Sequence, residues 1–324
     1  MKMSIIRPFF IILCILSSCK NEKPSFDQLE IHRLDSLYVQ DVSLVSYSDL
    51  QSKYGYFWQV YTQNVINLPQ ESFKDSLLSF QNLIDFQQPF QDLSALYADF
   101  SLYEDVFSEV FFNYNQFFPN RLIPSIVLFF GGFNYIAIAT DSTLAIGLEM
   151  FLGKDAPYYQ RITHKFPQYM HQRFQPDNMV PVAIEGWLES EFYSKNTDFL
   201  SQMIHYGKIK YVLSQLIKKQ PSHIYMGYSK EQLIWCEENE FSIWKFLIEE
   251  GLLYSTDQFL INKYMNPSPY TRGMPTESPG QVPIWIGWNI VSQFMDKRSD
   301  VTISELMEIH DAQYILSQSK YRPK

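Results

Sequence analysis

Cysteine is scarce in this sequence, which has three among its 324 residues: Cys14, Cys19 and Cys236. Two of them lie within the first nineteen residues, so only Cys236 belongs to the body of the chain. An internal disulfide is therefore excluded there. The acidic neighbours of Cys236 in LIWCEENE would raise its pKa, which favours a small buried hydrophobe over a nucleophile.

Histidine is also sparse, and complete catalytic motifs are missing. None of the six histidines forms a His-Glu-x-x-His pair or a Cys/His metal spacing. His164 and His171 lie seven residues apart and could share a helix face, but no third ligand accompanies them. The sequence has no Gly-x-Ser-x-Gly elbow and no phosphate-binding glycine loop. It therefore predicts no metal and no small-molecule cofactor.

Basic charge is in deficit. Lysine and arginine total 26 against 35 acidic residues, a net charge of −9. An acidic surface argues against nucleic acid as a partner and against electrostatic adhesion to anionic lipid.

Aromatic residues, by contrast, are abundant. The chain has 26 Phe, 22 Tyr and 6 Trp, which together make 17% of its residues. Rings must therefore supply much of the buried core, and the polar ends of Tyr and Trp each need a partner there. No repeat or low-complexity tract divides the chain, so a single globular domain is the simplest interpretation.

The first nineteen residues, MKMSIIRPFFIILCILSSC, are typical of a bacterial lipoprotein signal. A basic start precedes an apolar run of about nine residues, too short to span a bilayer. The closing LSSC resembles a lipobox, in which Cys19 is acylated and becomes the new N-terminus. The alternative is an ordinary signal peptide that leaves Cys19 as an unmodified thiol.

These features predict a signal peptide over 1–18, a lipidated tether over 19–26 and a single globular domain over 27–324. Removal of residues 1–18 leaves 24 basic against 35 acidic residues, a net charge of −11. Two or three acyl chains would hold the protein on a membrane almost permanently.

Periodicity predicts an α+β fold that is mostly α-helical. Apolar residues recur at helix spacing over 27–117, whereas 123–153 carries β-branched and aromatic runs separated by Gly131-Gly132 and Asp141-Ser142. We interpret 123–153 as a small antiparallel β-meander. A membrane span is the alternative, but Asp141 and the turns would leave polar groups unpaired in lipid. Further helices are predicted over 157–173, 177–193, 198–218, 229–250, 256–265, 283–297 and 302–318.

Two carboxylates are weak candidates for acid/base chemistry. Glu185 and Glu189 lie one helical turn apart in PVAIEGWLESEF, a spacing that can pair carboxyl groups. Most pairs of this kind simply form a solvated helix face.

Several segments resemble the gliding motility lipoprotein GldB family along most of the mature chain. The matching pieces are FLG (151–153) with YY (158–159), MIHYGK (203–208), GYS (227–229) with Trp235 and NE (239–240), LLYST (252–256), SPG (278–280) through Trp285, GW (287–288) and IV (290–291), and SKYRPK (319–324). The resemblance implies a cell-envelope lipoprotein needed for surface gliding in bacteria that also carry the type IX secretion apparatus.

A fainter similarity is to the zincin-type metalloprotease scaffold. In such a protease the first helix carries His-Glu-x-x-His and the next carries a Glu just before the glycine that aligns with Gly207. Here the helix predicted over 177–193 has no histidine, and Tyr206 precedes Gly207. Without imidazole ligands the site cannot bind zinc, so a shared scaffold would be degenerate.

The segment SPGQVPIWIGWNIV (278–291) allows two interpretations. Trp285 and Trp288, three apart, would lie on one helix face where Gly287 permits close approach by a neighbour, which favours core packing. The alternative is a groove that holds a partner segment, with Trp285, Trp288 and Tyr206 as its candidate residues.

Two functional hypotheses follow. The first is a non-enzymatic lipoprotein of the gliding and secretion machinery, anchored to the inner or outer membrane and acting through contacts with other envelope proteins. The second is an envelope hydrolase acting on peptide or glycan. The first is favoured because no complete catalytic constellation is present.

Overall fold

Helices dominate the computed structural model, which describes residues 29–194 and 197–324. The predicted signal peptide, Cys19 and tether lie outside these residues. The α-helices of the described residues are α1 (Tyr47–Val60), α2 (Phe73–Gln81), α3 (Ile84–Leu96), α4 (Ser101–Phe117), α5 (Met179–Glu191), α6 (Phe199–Leu216), α7 (Ser222–Met226), α8 (Lys230–Glu238), α9 (Glu240–Glu249), α10 (Gln258–Met265), α11 (Val282–Lys297), α12 (Ile303–Glu308) and α13 (Ala312–Ser319).

A small mixed sheet completes the fold, so the predicted α+β, mostly α-helical class is confirmed. Its strands are β1 (Ile31–Arg33), β2 (Ser125–Phe129), β3 (Ala137–Ala139) and β4 (Thr143–Gly147), in the order β1-β2-β4-β3. β2 pairs in parallel with both β1 and β4, and only β3 and β4 are antiparallel. The predicted antiparallel meander was therefore wrong in its topology.

The position of β4 explains why the sheet is not a meander. Asp141-Ser142 does turn the chain between β3 and β4, but β4 lies between β3 and β2 and takes the place beside β2. β4 is buried along its whole length, as is typical of strands in parallel sheets that are covered on both faces.

Among the described residues no helix is long and apolar enough to cross a membrane.

Helix boundaries follow the sequence closely in the C-terminal half. Asp198 caps α6 by accepting a hydrogen bond from the Ser201 N–H, at the predicted start. Gly251 adopts a φ of 64° after α9, at the predicted stop. The helix predicted over 229–250 is two helices divided at Asn239, and the helix predicted over 302–318 is two helices, α12 and α13, separated by 309–311. The segment 157–173 holds two 3-10 helices on either side of Pro167 instead of one α-helix.

A buried carboxylate fixes the turn that follows β2. Glu149 is fully buried, and its Oε1 accepts hydrogen bonds from the N–H groups of Gly131 (2.8 Å) and Phe133 (3.0 Å). Gly132 and Phe133 both adopt a φ of 65° there. Burial raises the pKa of Glu149 to about 7, against the opposing effect of these hydrogen bonds.

The Glu149→Gln variant is expected to change the pH dependence of stability. The pKa of Glu149 is higher in the folded state than in the unfolded state. The protonated carboxyl group therefore stabilises the fold at low pH, and this stabilisation is lost as the pH rises through about 7. As the pH rises from 5 to 8, wild type should lose roughly 2 to 3 kcal/mol of unfolding free energy relative to the variant. Urea unfolding at both pH values measures this, and a constant difference would contradict it.

Helices α6 and α11 form the centre of the C-terminal half. A Cβ atom placed on Gly207 would lie 2.4 Å from the carbonyl carbon of Gly287, and one placed on Gly287 would lie 2.0 Å from the oxygen of Met203. Both glycines therefore let the two backbones approach more closely than any side chain permits, as the sequence predicted for Gly287.

Candidate functional site

A cleft of about 420 Å³ opens between α5, α6, the corner that joins α7 to α8, and two loops over 265–269 and 279–281. Its volume falls in the range of small-ligand and peptide-side-chain pockets. Its walls combine apolar side chains such as Met170 and Ile284 with the rings of Tyr169, Tyr206 and Tyr228.

The segment that precedes α11 builds one rim of this cleft. Gly280 lies against the other loop, where a Cβ would be 2.1 Å from the Ser268 oxygen. The Thr271 hydroxyl donates to the Pro279 carbonyl (2.7 Å), and the Gln281 side chain donates to the Met265 carbonyl (2.6 Å). These bonds join the two loops that form the rim.

Three charged groups form the floor of the cleft. Arg173 donates through Nη2 to one carboxylate oxygen of Glu185, and the ammonium of Lys210 contacts the other oxygen. Lys210 also donates to the Tyr225 carbonyl at 2.9 Å. Glu185 is 9% exposed and Lys210 is 5% exposed, while Arg173 reaches solvent. Both oxygens of Glu185 are thus bound by cations.

Burial and the ion pairs compete at Glu185. Burial on its own raises the pKa of Glu185, but the charges of Lys210 and Arg173 and their hydrogen bonds outweigh it and lower the pKa below the usual range. Burial lowers the pKa of Lys210, and Glu185 opposes that effect. The carboxylate is therefore ionised and fully engaged at neutral pH.

Glu189 differs from Glu185 although it lies one turn away on the same face of α5. Its side chain is exposed at the mouth of the cleft. Protein surrounding the carboxyl group, and then repulsion from Glu185, raise the pKa of Glu189 to about 7. Because water reaches the group, screening reduces the energetic weight of that shift.

The structure separates the three candidate groove residues. Tyr206 lines the cleft beside Glu189. Trp285 is 2% exposed and belongs to the core of the domain. Trp288 is half-buried and packs against the ring of Tyr225, with centroids 6.0 Å apart.

Sequence reasoning missed Arg173 and Lys210. Lys210 lies on α6, which packs against helices on several sides and so buries polar positions as well as apolar ones. Gly227, with a φ of 76°, lets the Arg173 guanidinium lie against its backbone, where a Cβ would be 3.2 Å from Nε. In the sequence, this contact is indicated only by Gly227 in the segment GYS, because glycine adopts a positive φ more readily than other residues.

Metal-binding side chains do not cluster in the described ranges: no group of three or more His, Cys, Asp or Glu is placed to hold an ion. His171 is buried, and its Nε2 lies 2.9 Å from the Phe166 carbonyl. Cys236 is a buried free thiol whose pKa is raised by burial.

Comparison with known proteins identifies a family. A family model described as gliding motility protein GldB matches residues 19–323, which include every element of the cleft. No curated protein and no solved structure matches the chain significantly. The match confirms the resemblance seen in the sequence and supports a role in gliding motility. The chain belongs to the gliding motility protein GldB family.

Proposed function

We propose that this chain is a non-enzymatic, lipid-anchored component of the gliding machinery, linked to type IX secretion, that acts through contacts with other envelope proteins. The observation that carries the proposal is the state of Glu185. The carboxylate at the floor of the cleft is bound on both oxygens by Arg173 and Lys210.

A general base needs a free lone pair and a pKa near the working pH. Glu185 has neither, because two cations occupy its oxygens and lower its pKa. The cluster links α5, α6 and the segment before α5, and loss of one partner would leave an uncompensated charge in a buried place. The cleft therefore has a fixed floor, which suits the docking of a partner segment better than proton transfer.

Anchorage is supported by the sequence and by the family. The segment that resembles a lipobox ends at Cys19, and the family match begins at the same residue. Acyl chains on Cys19 would keep the domain at a membrane of the envelope. The link to type IX secretion rests on the family resemblance.

The Cys19→Ala variant is expected to abolish gliding and to release the protein from the membrane fraction. Loss of the acyl chains removes about 0.8 kcal/mol of membrane affinity for each buried CH₂ group. Gliding speed and membrane fractionation measure the effect. The matched control is Cys236→Ala, which removes the buried thiol of the globular domain and should leave gliding speed and membrane fractionation unchanged. Normal gliding by Cys19→Ala cells would contradict the proposal that lipid anchorage is needed for function.

A hydrolase that uses a carboxylate is the second candidate function, and Glu189 is the observation that favours it. Glu189 faces the cleft without an ion-pair partner among the described residues, and its pKa of about 7 suits a general acid or base. This candidate requires that Glu189→Gln abolish gliding, whereas the binding function does not.

A further inference from the structure

The cleft continues into a second, more open groove. The two share Tyr169, Gly227 and Gln232 in their lining. The outer groove has a volume of about 680 Å³ and runs along α8 beside Ile234 and Trp235. Because they share these residues, the cleft and the groove form one continuous depression.

Every charged side chain in the lining of the outer groove is acidic. Glu231 and Glu238 project from α8, and Glu277 from the loop opposite; all three are exposed. None of them belongs to an ion pair of the described residues. Hydrogen bonding to its own backbone N–H, and then to the Ser229 side chain, lowers the pKa of Glu231.

Among the described residues, no basic side chain belongs to the lining of this groove. Arg173 and Lys210 belong to the inner cleft and are bound to Glu185. Lys230 and His223 act electrostatically on Glu231, but neither of them is part of the lining. The outer groove therefore combines two apolar side chains, Ile234 and Trp235, with a rim of negatively charged carboxylates.

We propose that the outer groove binds an extended polypeptide segment of a partner protein that carries basic residues beside an apolar one. Glu231 and Glu238 are seven residues apart on α8, about 10 Å along the helix, a span that about three extended residues cover. One short segment thus meets both carboxylates while its apolar side chain contacts Trp235. This inference rests on the proposed function, because it specifies the partner chemistry of a binding protein.

Calorimetric titration of the full-length lipoprotein in detergent tests the proposal. The probes are the peptide acetyl-Gly-Arg-Ala-Phe-Arg-Gly-amide and the same peptide with Glu in place of both Arg. The test variant is Glu231→Gln/Glu238→Gln/Glu277→Gln. The control variant is Glu71→Gln/Glu104→Gln/Glu250→Gln, which removes the same charge from exposed positions outside the groove.

We expect the Arg peptide to bind wild type and the control variant alike, and to bind the groove variant about tenfold more weakly. The Glu peptide should bind none of them measurably. Equal binding of both peptides, equal loss in both variants, or no binding of the Arg peptide at about 1 mM would overturn the proposal. Those outcomes leave the Cys19→Ala result untouched, so failure of the groove and failure of the proposed function are distinguishable.

Discussion

Alanine in place of Gly287 is expected to lower the unfolding free energy by about 3 kcal/mol or more. The added Cβ would lie 2.0 Å from the carbonyl oxygen of Met203, and backbone cannot move aside as a flexible side chain can. Helices α6 and α11 would have to separate, which would disturb the packing of Trp285 and the other core residues of α11. Overpacking of this kind usually costs about 1 to 3 kcal/mol, and rigid backbone contacts lie at the upper end.

Gly186→Ala is the matched control for Gly287→Ala. Gly186 lies inside α5, and a Cβ there would meet nothing within 4 Å. Its replacement should therefore stabilise the protein by about 0.5 to 1 kcal/mol through helix propensity alone. Urea unfolding measures both variants, and similar unfolding free energies for the two would show that the close approach of α6 and α11 is absent.

The Glu185→Ala variant is expected to lose about 3 to 5 kcal/mol of unfolding free energy at pH 7. Removal of the carboxylate leaves the buried ammonium of Lys210 and the guanidinium of Arg173 side by side without the group that binds both of them. The pKa of Glu185 is lower in the folded state than in the unfolded state. The ionised carboxylate therefore stabilises the fold at pH values above its unfolded-state pKa, and this stabilisation is lost as the pH falls through its folded-state pKa. The difference between wild type and variant should therefore shrink in acid.

Two further variants make the test of the ion cluster specific. Glu189→Ala removes an exposed carboxylate from the same face of α5 and should change stability by less than about 0.5 kcal/mol. The double variant Glu185→Ala/Lys210→Met should be more stable than Glu185→Ala alone, since one buried charge then disappears with its partner. Additive destabilisation in the double variant would mean that the two charges do not interact.

Local signals were sufficient to predict most of the C-terminal helices. α11 follows from a proline-glycine turn and apolar residues at helix spacing, and the capping residue Asp198 marks the start of α6. The sheet was not predictable in this way. β1 pairs with β2 through Ile31 and Ile126, nearly one hundred residues apart, and β1 is too short to show a period of its own.

The candidate site was predictable only in part, because its chemistry depends on tertiary contacts. Glu185 and Glu189 have the same residue type and the same helix face, yet one is bound by two cations and the other is exposed. Lys208 illustrates the same limit. It is buried and donates to the carbonyls of Met307 (3.2 Å) and Ile309 (2.9 Å), a role that no local pattern indicates.

The claim that the cleft binds rather than catalyses is tested most directly by the gliding speed of cells whose only copy of the protein carries Glu189→Gln. This change removes the ionisable group best suited to proton transfer and keeps its size. Since Glu189 is exposed, the variant should fold and accumulate normally. Our account predicts gliding at the wild-type speed; loss of gliding at normal protein abundance would contradict it.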